Sequence, residues 1–175
     1  SLAPSATKLV TREALARAQE AGMARLSLSL DGPSPEVHDA FRQTRGSFQR
    51  SVEILRTVGE LGISLQINTT VSRYSLPHLE AMAGRVAEFG AVLWSVFFLV
   101  PTGRGQKEDM ISPQEHEAAF NWLYDLSQKV AFDIKTTCVE HYRRVIIQRK
   151  QADPRRVALA APGFSYEDGI PRATK

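Results

Sequence analysis

The feature that most constrains this chain is an alternation. Segments that read as strands are separated by stretches whose apolar residues recur every three or four positions, as on one side of a helix. A helix is expected from the N-cap Thr11 to Gly22, then a strand over 25–30 and a long loop opening on Asp31-Gly32-Pro33. A second helix follows Gly46-Ser47 and runs to Gly62, and a strand covers 63–71. A third helix opens at Ser75 and ends at Gly90, with Leu76, Leu79, Met82, Val86 and Phe89 on one stripe. The next strand, 92–100, is apolar throughout, as a strand buried on both faces would be. A Pro/Gly loop at 101–105 leads to a helix with a capping box at Ser112-Pro113-Gln114-Glu115. A strand over 132–137 and a helix over about 140–151 complete the pattern. Residues 1–153 are read as one β/α unit and 154–175 as a loop or loose tail.

Strand and helix alternating at this spacing predict parallel strands joined by right-handed crossovers. The strand faces separate an open doubly wound sheet from a barrel. Leu26, Leu28 and Leu30 share one face of the first strand, and Ser27, Ser29 and Asp31 share the other. In the second, Ile63, Leu65, Ile67 and Thr69 oppose Ser64, Gln66, Asn68 and Thr70; in the fourth, Phe132, Ile134 and Thr136 oppose Asp133, Lys135 and Thr137. A sheet covered by helices on both sides has no use for a polar face. In an incomplete TIM-like β/α barrel the apolar face meets the helices and the polar face lines the lumen. A closed barrel fills its lumen with branched apolar side chains, so a polar lumen points to a bound ligand, or to a face left open to solvent.

Composition removes several classes. The single cysteine, Cys138, excludes an internal disulfide framework or a cysteine-only metal site, and fits a reducing cytoplasm. The four histidines, His38, His78, His116 and His141, lack metal-ligand spacing. The longest apolar stretch, 91–100, is far too short for a bilayer, and no signal-peptide pattern opens the chain. A net charge of +3 is scattered, and its densest basic stretch, 143–156, reads as a solvated helix face rather than a nucleic-acid surface. The Trp94, Phe97 and Phe98 cluster reads as core.

The ordered motifs resemble a family. RLSLSLDGP at 25–33, then Val37-His38-Asp39, Phe41-Arg42 and Gly46-Ser47-Phe48, is similar to the fourth-strand region of radical S-adenosylmethionine (SAM) enzymes of the SPASM-containing type. GISLQINTTV at 62–71 resembles their fifth strand, and FFLVPTGRG at 97–105 their sixth strand and its loop. Lys135-Thr136-Thr137 and His141-Tyr142-Arg143-Arg144 resemble a subgroup near the haem-biosynthesis branch. The family's Cys-x-x-x-Cys-x-x-Cys and Gly-Gly-Glu motifs and its cysteine-rich extension are absent here. The chain is therefore read as a central piece of such an enzyme rather than a degenerate homologue, and is expected to be inactive by itself.

The resemblance implies two cofactors, SAM and a [4Fe–4S] cluster whose ligands this chain lacks. It implies reductive cleavage of SAM to a 5′-deoxyadenosyl radical that modifies a peptide or porphyrin-like substrate. Ser29 with Asp31 is expected to face the ribose, and Gln66 with Asn68 the methionyl end, with Thr70 on the same face. Arg50 or Arg42 would reach a carboxylate bidentately, and 100–103 would edge the adenine. Folding is expected to survive loss of the Asp31 or Gln66 side chain. Competing readings make Asp31 a turn cap, Asn68 and Thr70 partners of nearby backbone, and Arg50 a helix-surface residue. Two other functions compete: a non-catalytic β/α domain that binds a partner, and a barrel lyase or hydrolase using Asp31, Lys135 and His141. The outer edge of 25–30 is expected to pair with another chain or to be covered by a terminal segment.

Overall fold

Strands β1 (Arg25–Ser29), β2 (Ser64–Val71), β3 (Leu93–Phe98) and β4 (Asp133–Thr137) lie parallel, side by side, in the order in which the chain visits them. In this computed structural model the described residues are 1–102, 105–152, 164–167 and 170–173, the last two stretches by backbone alone. They fall into two compact units, Ser1–Glu140 and His141–Lys175.

The sheet order decides between the two expected architectures. A doubly wound sheet reverses its direction of growth partway, so that helices cover both faces. Here every strand is added on the same side of the last. Right-handed crossovers then put every connecting helix on one face and leave the other open, which is the winding of a partial barrel. The covered face carries the apolar residues: Leu26, Leu28, Leu65, Ile67, Val71, Trp94, Val96 and Phe98 are all buried. Helix α1 (Arg12–Glu20) brings Leu15; α3 (Ser47–Glu60), against β1 and β2, brings Ile54, Leu55 and Val58; α4 (Leu79–Glu88) brings Met82 and Val86; and α5 (Pro113–Ser127), against β4, brings Phe120 and Leu123. Trp94 is fully enclosed, edge-on to Trp122 and Phe132, and its Nε1 donates to Thr69 Oγ1 at 2.9 Å. That hydroxyl donates in turn to the Leu30 carbonyl at 2.8 Å, so the one polar side chain on β2's apolar face is satisfied and ties three strands together.

Helix starts follow side-chain chemistry. The Thr11 hydroxyl accepts from the Ala14 N–H, and Ser112 and Glu115 form the expected capping box with Pro113 at the first helical position. Other elements differ from expectation. The loop after Asp31 contains a helix, α2 (Pro35–Arg42), whose period is masked by its shortness and by His38, a buried polar residue where an apolar one would signal a core face. The helix expected from Ser75 begins as a single 3₁₀ turn, Leu76–His78, with Pro77 in its first turn, and becomes α-helical at Leu79. Phe97 is not in the core: the register sets it beside Thr70 and Thr137 on the open face. In the second unit, α6 (His141–Ala152) is the expected last helix. Within the segment expected to be loose, β5 (Phe164–Glu167) and β6 (Ile170–Ala173) pair as an antiparallel hairpin; the remainder of 154–175 lies outside the described residues.

The outer edge of β1 is met by the N-terminal segment. Leu2 pairs in parallel with Leu26, its N–H donating to the Arg25 carbonyl at 2.9 Å and its carbonyl accepting from the Ser27 N–H at 2.8 Å. That satisfies the first half of an edge that is otherwise a template for another strand.

The layer assignment gives a stability ranking. Leu28→Ala, buried on the covered face of β1, is expected to cost about 2–5 kcal/mol, and Ser112→Ala, which removes a cap at the surface, about 1 kcal/mol. Urea unfolding of both variants checks this, and a Leu28→Ala loss no larger than that of Ser112→Ala would contradict the packing.

Candidate functional site

The open face is polar because of strand alternation, and the register aligns its side chains in rows. Ser27 sits beside Gln66, which sits beside Leu93; Ser29 beside Asn68, Ser95 and then Lys135; Thr70 beside Phe97 and then Thr137. Ser29, Gln66, Asn68 and Thr70 are each half-buried. Gln66 Nε2 donates to Asn68 Oδ1 at 2.8 Å, and Ser95 and Thr137 approach hydroxyl to hydroxyl at 3.4 Å. Hydroxyls and carboxamides that keep free donor or acceptor capacity on a concave face suit a polar ligand.

At the C-terminal end of this face stands Asp31, fully buried. One carboxylate oxygen accepts from the Thr70 N–H at 2.7 Å, and the other accepts from Arg42 Nε at 2.6 Å and pairs with its terminal nitrogen. The carboxylate thus continues the pairing of β1 with β2 beyond the last residue of β1. Its own N–H donates to His38 Nδ1 at 3.0 Å. Gly32 is required beside it: a Cβ there would lie 2.5 Å from the His38 backbone nitrogen and 2.8 Å from Val37 Cβ, with no flexible side-chain end to yield. Arg85, from α4, donates to the Pro33 carbonyl at 3.1 Å. The turn at 31–33 is therefore tied to β2, α2 and α4.

Asp39, next to His38, does the same for α3. Gly46 at that helix's N-cap has no side chain, and Asp39 accepts from the N–H groups of Gly46 (2.6 Å) and Phe48 (2.7 Å) and from the Ser47 hydroxyl (3.1 Å). Partial removal from water pushes the Asp39 carboxyl upward in pKa, but these donors outweigh it and hold it below the ordinary carboxylate value. His38 lies below its ordinary value, first because burial disfavours the imidazolium and also because of Arg42, against the opposing pull of Asp31 and Asp39.

Two clefts open on this end of the sheet, and Arg42 lines both. The smaller, about 410 Å³, lies between residues 3–7 and Ser29, Thr44, Ser47 and Ser51, with hydroxyls on half of its lining residues and Leu28 and His38 among the rest. The larger, about 780 Å³, lies between α2 and the segments after β2 and β3, with Phe41 and Leu99 on its apolar wall and Gln43, Tyr74, His78 and Gln106 among its polar lining. Clefts at the C-terminal ends of parallel strands are where ligands bind in barrel folds.

The sequence-predicted residues divide accordingly. Ser29, Gln66, Asn68 and Thr70 share the open face. Asp31 stands at its end with both oxygens engaged, so its loss bears on stability as well as on the open face. Arg50 is held on the helical layer, donating to the Thr7 carbonyl at 3.3 Å and pairing with Glu53, one step from the smaller cleft through Thr7. Val100 is exposed, and Gly103 lies outside the described residues. Asp31 and Lys135 are separated by two intervening strands, which removes them as partners in a lyase or hydrolase. His38, Asp39 and Arg85 carry the site's framework and were not singled out from sequence; the motif 37–42 was the available signal. Among the described residues no three His, Cys, Asp or Glu side chains are grouped to hold a metal, and no helix is long and apolar enough to cross a membrane.

Comparisons with known proteins agree with this geometry. Residues 2–83 match the model of the radical SAM superfamily. The AdoMet-dependent heme synthase of Oleidesulfovibrio alaskensis is 38% identical over 154 residues, covering 87% of this chain and 39% of that protein. The enzyme of the same name from Methanosarcina barkeri is 37% identical over 159 residues, covering 91% and 45%. The chain thus spans less than half the length of these relatives. The crystal structure of SuiB from Streptococcus suis superposes with a TM-score of 0.60 at 15% identity, over 79% of this chain and 32% of that one, which shows a shared fold.

The Asp31 network gives a graded expectation. Asp31→Ala strands the Thr70 N–H and the Arg42 guanidinium, and should cost about 2–3 kcal/mol. Asp31→Asn keeps an acceptor for Thr70 and should cost less. Thermal unfolding of the two variants measures the difference; an alanine variant as stable as the parent would contradict the assignment.

Proposed function

We propose, from the premise that this chain belongs to the radical SAM superfamily, that its open sheet face forms part of the wall that holds S-adenosylmethionine. The observation that carries the reading is the in-register set Ser29, Gln66, Asn68 and Thr70, half-buried on the face that the helices leave free. Ser29 lines the hydroxyl-rich cleft and suits the ribose. Gln66 and Asn68, with two carboxamides in line, suit the amine and carboxylate of the methionyl end. Arg50 stands behind the loop 3–7, within reach of a carboxylate if it exchanges the Thr7 carbonyl for one. Asp31 contributes through the positions it gives Ser29 and Thr70.

If bound on this face, S-adenosylmethionine would supply 5′-deoxyadenosyl radical chemistry on one-electron reduction by an iron–sulfur donor whose thiolates this chain does not carry. The residues present do not fit a [4Fe–4S] cluster: its irons require thiolates, and this sequence has one cysteine, exposed Cys138. What the chain's own residues do is bind, orient and shield.

The larger cleft is proposed for the second reactant. Its apolar wall with polar rim suits a flat, mostly apolar molecule bearing polar side groups. The two heme synthases at 37–38% identity favour a tetrapyrrole over a peptide.

Equilibrium titration with S-adenosylmethionine tests the cofactor reading. Ser29→Ala and Gln66→Ala should each weaken binding by about tenfold, the loss of about 1.4 kcal/mol, while leaving the unfolding midpoint in place. Binding unchanged in both variants, with the fold intact, would overturn it.

A further inference from the structure

His38 is enclosed on every side, and each neighbour constrains its protonation. The turn after β1 presents the Asp31 N–H to Nδ1 and the Asp31 carboxylate nearby. Its own helix supplies Asp39 and Arg42. Helix α3 brings the Phe48 ring edge-on at 5.9 Å and no charge; Arg85 of α4 lies 6.0 Å from that ring's centre while holding the Pro33 carbonyl. The hydroxyl-lined loop 3–7 closes the remaining side across the smaller cleft. A nitrogen that accepts an N–H carries no proton, so the hydrogen bond to Asp31 fixes the neutral imidazole with its proton on Nε2.

We propose that His38 is a positioning residue whose neutral imidazole keeps the 31–33 turn closed and whose protonation opens it. Adding a proton to Nδ1 sets two donors, that nitrogen and the Asp31 N–H, against each other. The charge that most favours the imidazolium is the Asp31 carboxylate, and to accept from the new N–H it must give up the Thr70 N–H or Arg42. The ties made by the Asp31 carboxylate give way, and with them the fixed position of the 31–33 turn and of the Arg42 wall between the two clefts, while Leu30 keeps its bonds to Asn68 and Thr69.

The sign follows from burial. The closed turn holds His38 below the ordinary imidazole value of 6.5, whereas the opened turn returns it toward that value. Above this range both forms are neutral and the closed turn has its full stability. As pH falls through it, the open form takes up the proton first and is favoured. That an open turn weakens S-adenosylmethionine binding rests on the function proposed above; the opening itself does not.

Amide hydrogen exchange on the full chain, compared between about pH 7.5 and about pH 5 and corrected for intrinsic rates, tests this. Asp31 and Thr70 amides should lose protection by at least about tenfold at the lower pH while the Ile67 amide, in the sheet centre, keeps its own. His38→Asn should stay protected at both pH values, because its carboxamide oxygen takes the place of Nδ1 and does not titrate. His38→Leu should be unprotected at both. Retained protection in the parent at low pH, an equal acid loss in His38→Asn, or a parallel loss at Ile67 would each overturn the proposal. A parallel titration with S-adenosylmethionine should weaken at low pH in the parent and not in His38→Asn. Absence of binding by the parent at either pH would instead refute the cofactor reading, leaving the exchange result to decide the role of His38.

Discussion

One buried carboxylate holds the functional end of this molecule together. Asp31 lies where β1 ends, at the point where a parallel strand pair normally frays into loop. Its two oxygens serve a backbone N–H of β2 and the guanidinium of α2, and its own N–H is held by His38. Burying a carboxylate is costly unless it is paired and hydrogen-bonded, and both conditions are met here, by Arg42 of α2 and by the Thr70 N–H of β2. The arrangement fixes where the open face stops, where α2 starts, and where the wall between the two clefts stands.

The rest of the design follows from a sheet wound in one direction. Each crossover adds a helix to the same face, so the apolar sides of β1, β2 and β3 are sealed under α1, α3, α4 and α5 while the other side remains polar. That side is polar on β1 and β2, with Leu93 and Phe97 of β3 as its apolar members. Its serines, carboxamides and threonine are spaced by the strand register itself, which positions ligand-facing groups more rigidly than a loop would. The chemistry proposed for the face therefore sits on the least deformable part of the fold, and the helix α2 adjusts it from one end.

Much of this was legible in the sequence, for identifiable reasons. Period-two alternation in 25–30 and 63–71 revealed both faces of the sheet, and the capping box at Ser112 marked a helix start to the residue. Helix α2 was missed because eight residues give little period and because its inward residue is a histidine rather than an apolar one. Phe97 was misplaced because a continuous apolar run carries no alternation by which to assign faces. The opposite roles of Ser29 and Asp31, two residues apart on the same side, could not be separated either. Whether a side chain is free or engaged depends on partners far along the chain, Thr70 and Arg42, that spacing alone does not bring together.

The functional end of the fold depends most on the coupling between Asp31 and Arg42. A double-mutant cycle built from Asp31→Asn, Arg42→Gln and the double variant, read by urea unfolding, isolates that coupling from what each side chain does elsewhere. A keystone pair predicts an interaction energy of about 1.5–3 kcal/mol. A value within about 0.5 kcal/mol of zero, as for an exposed surface pair, would contradict it.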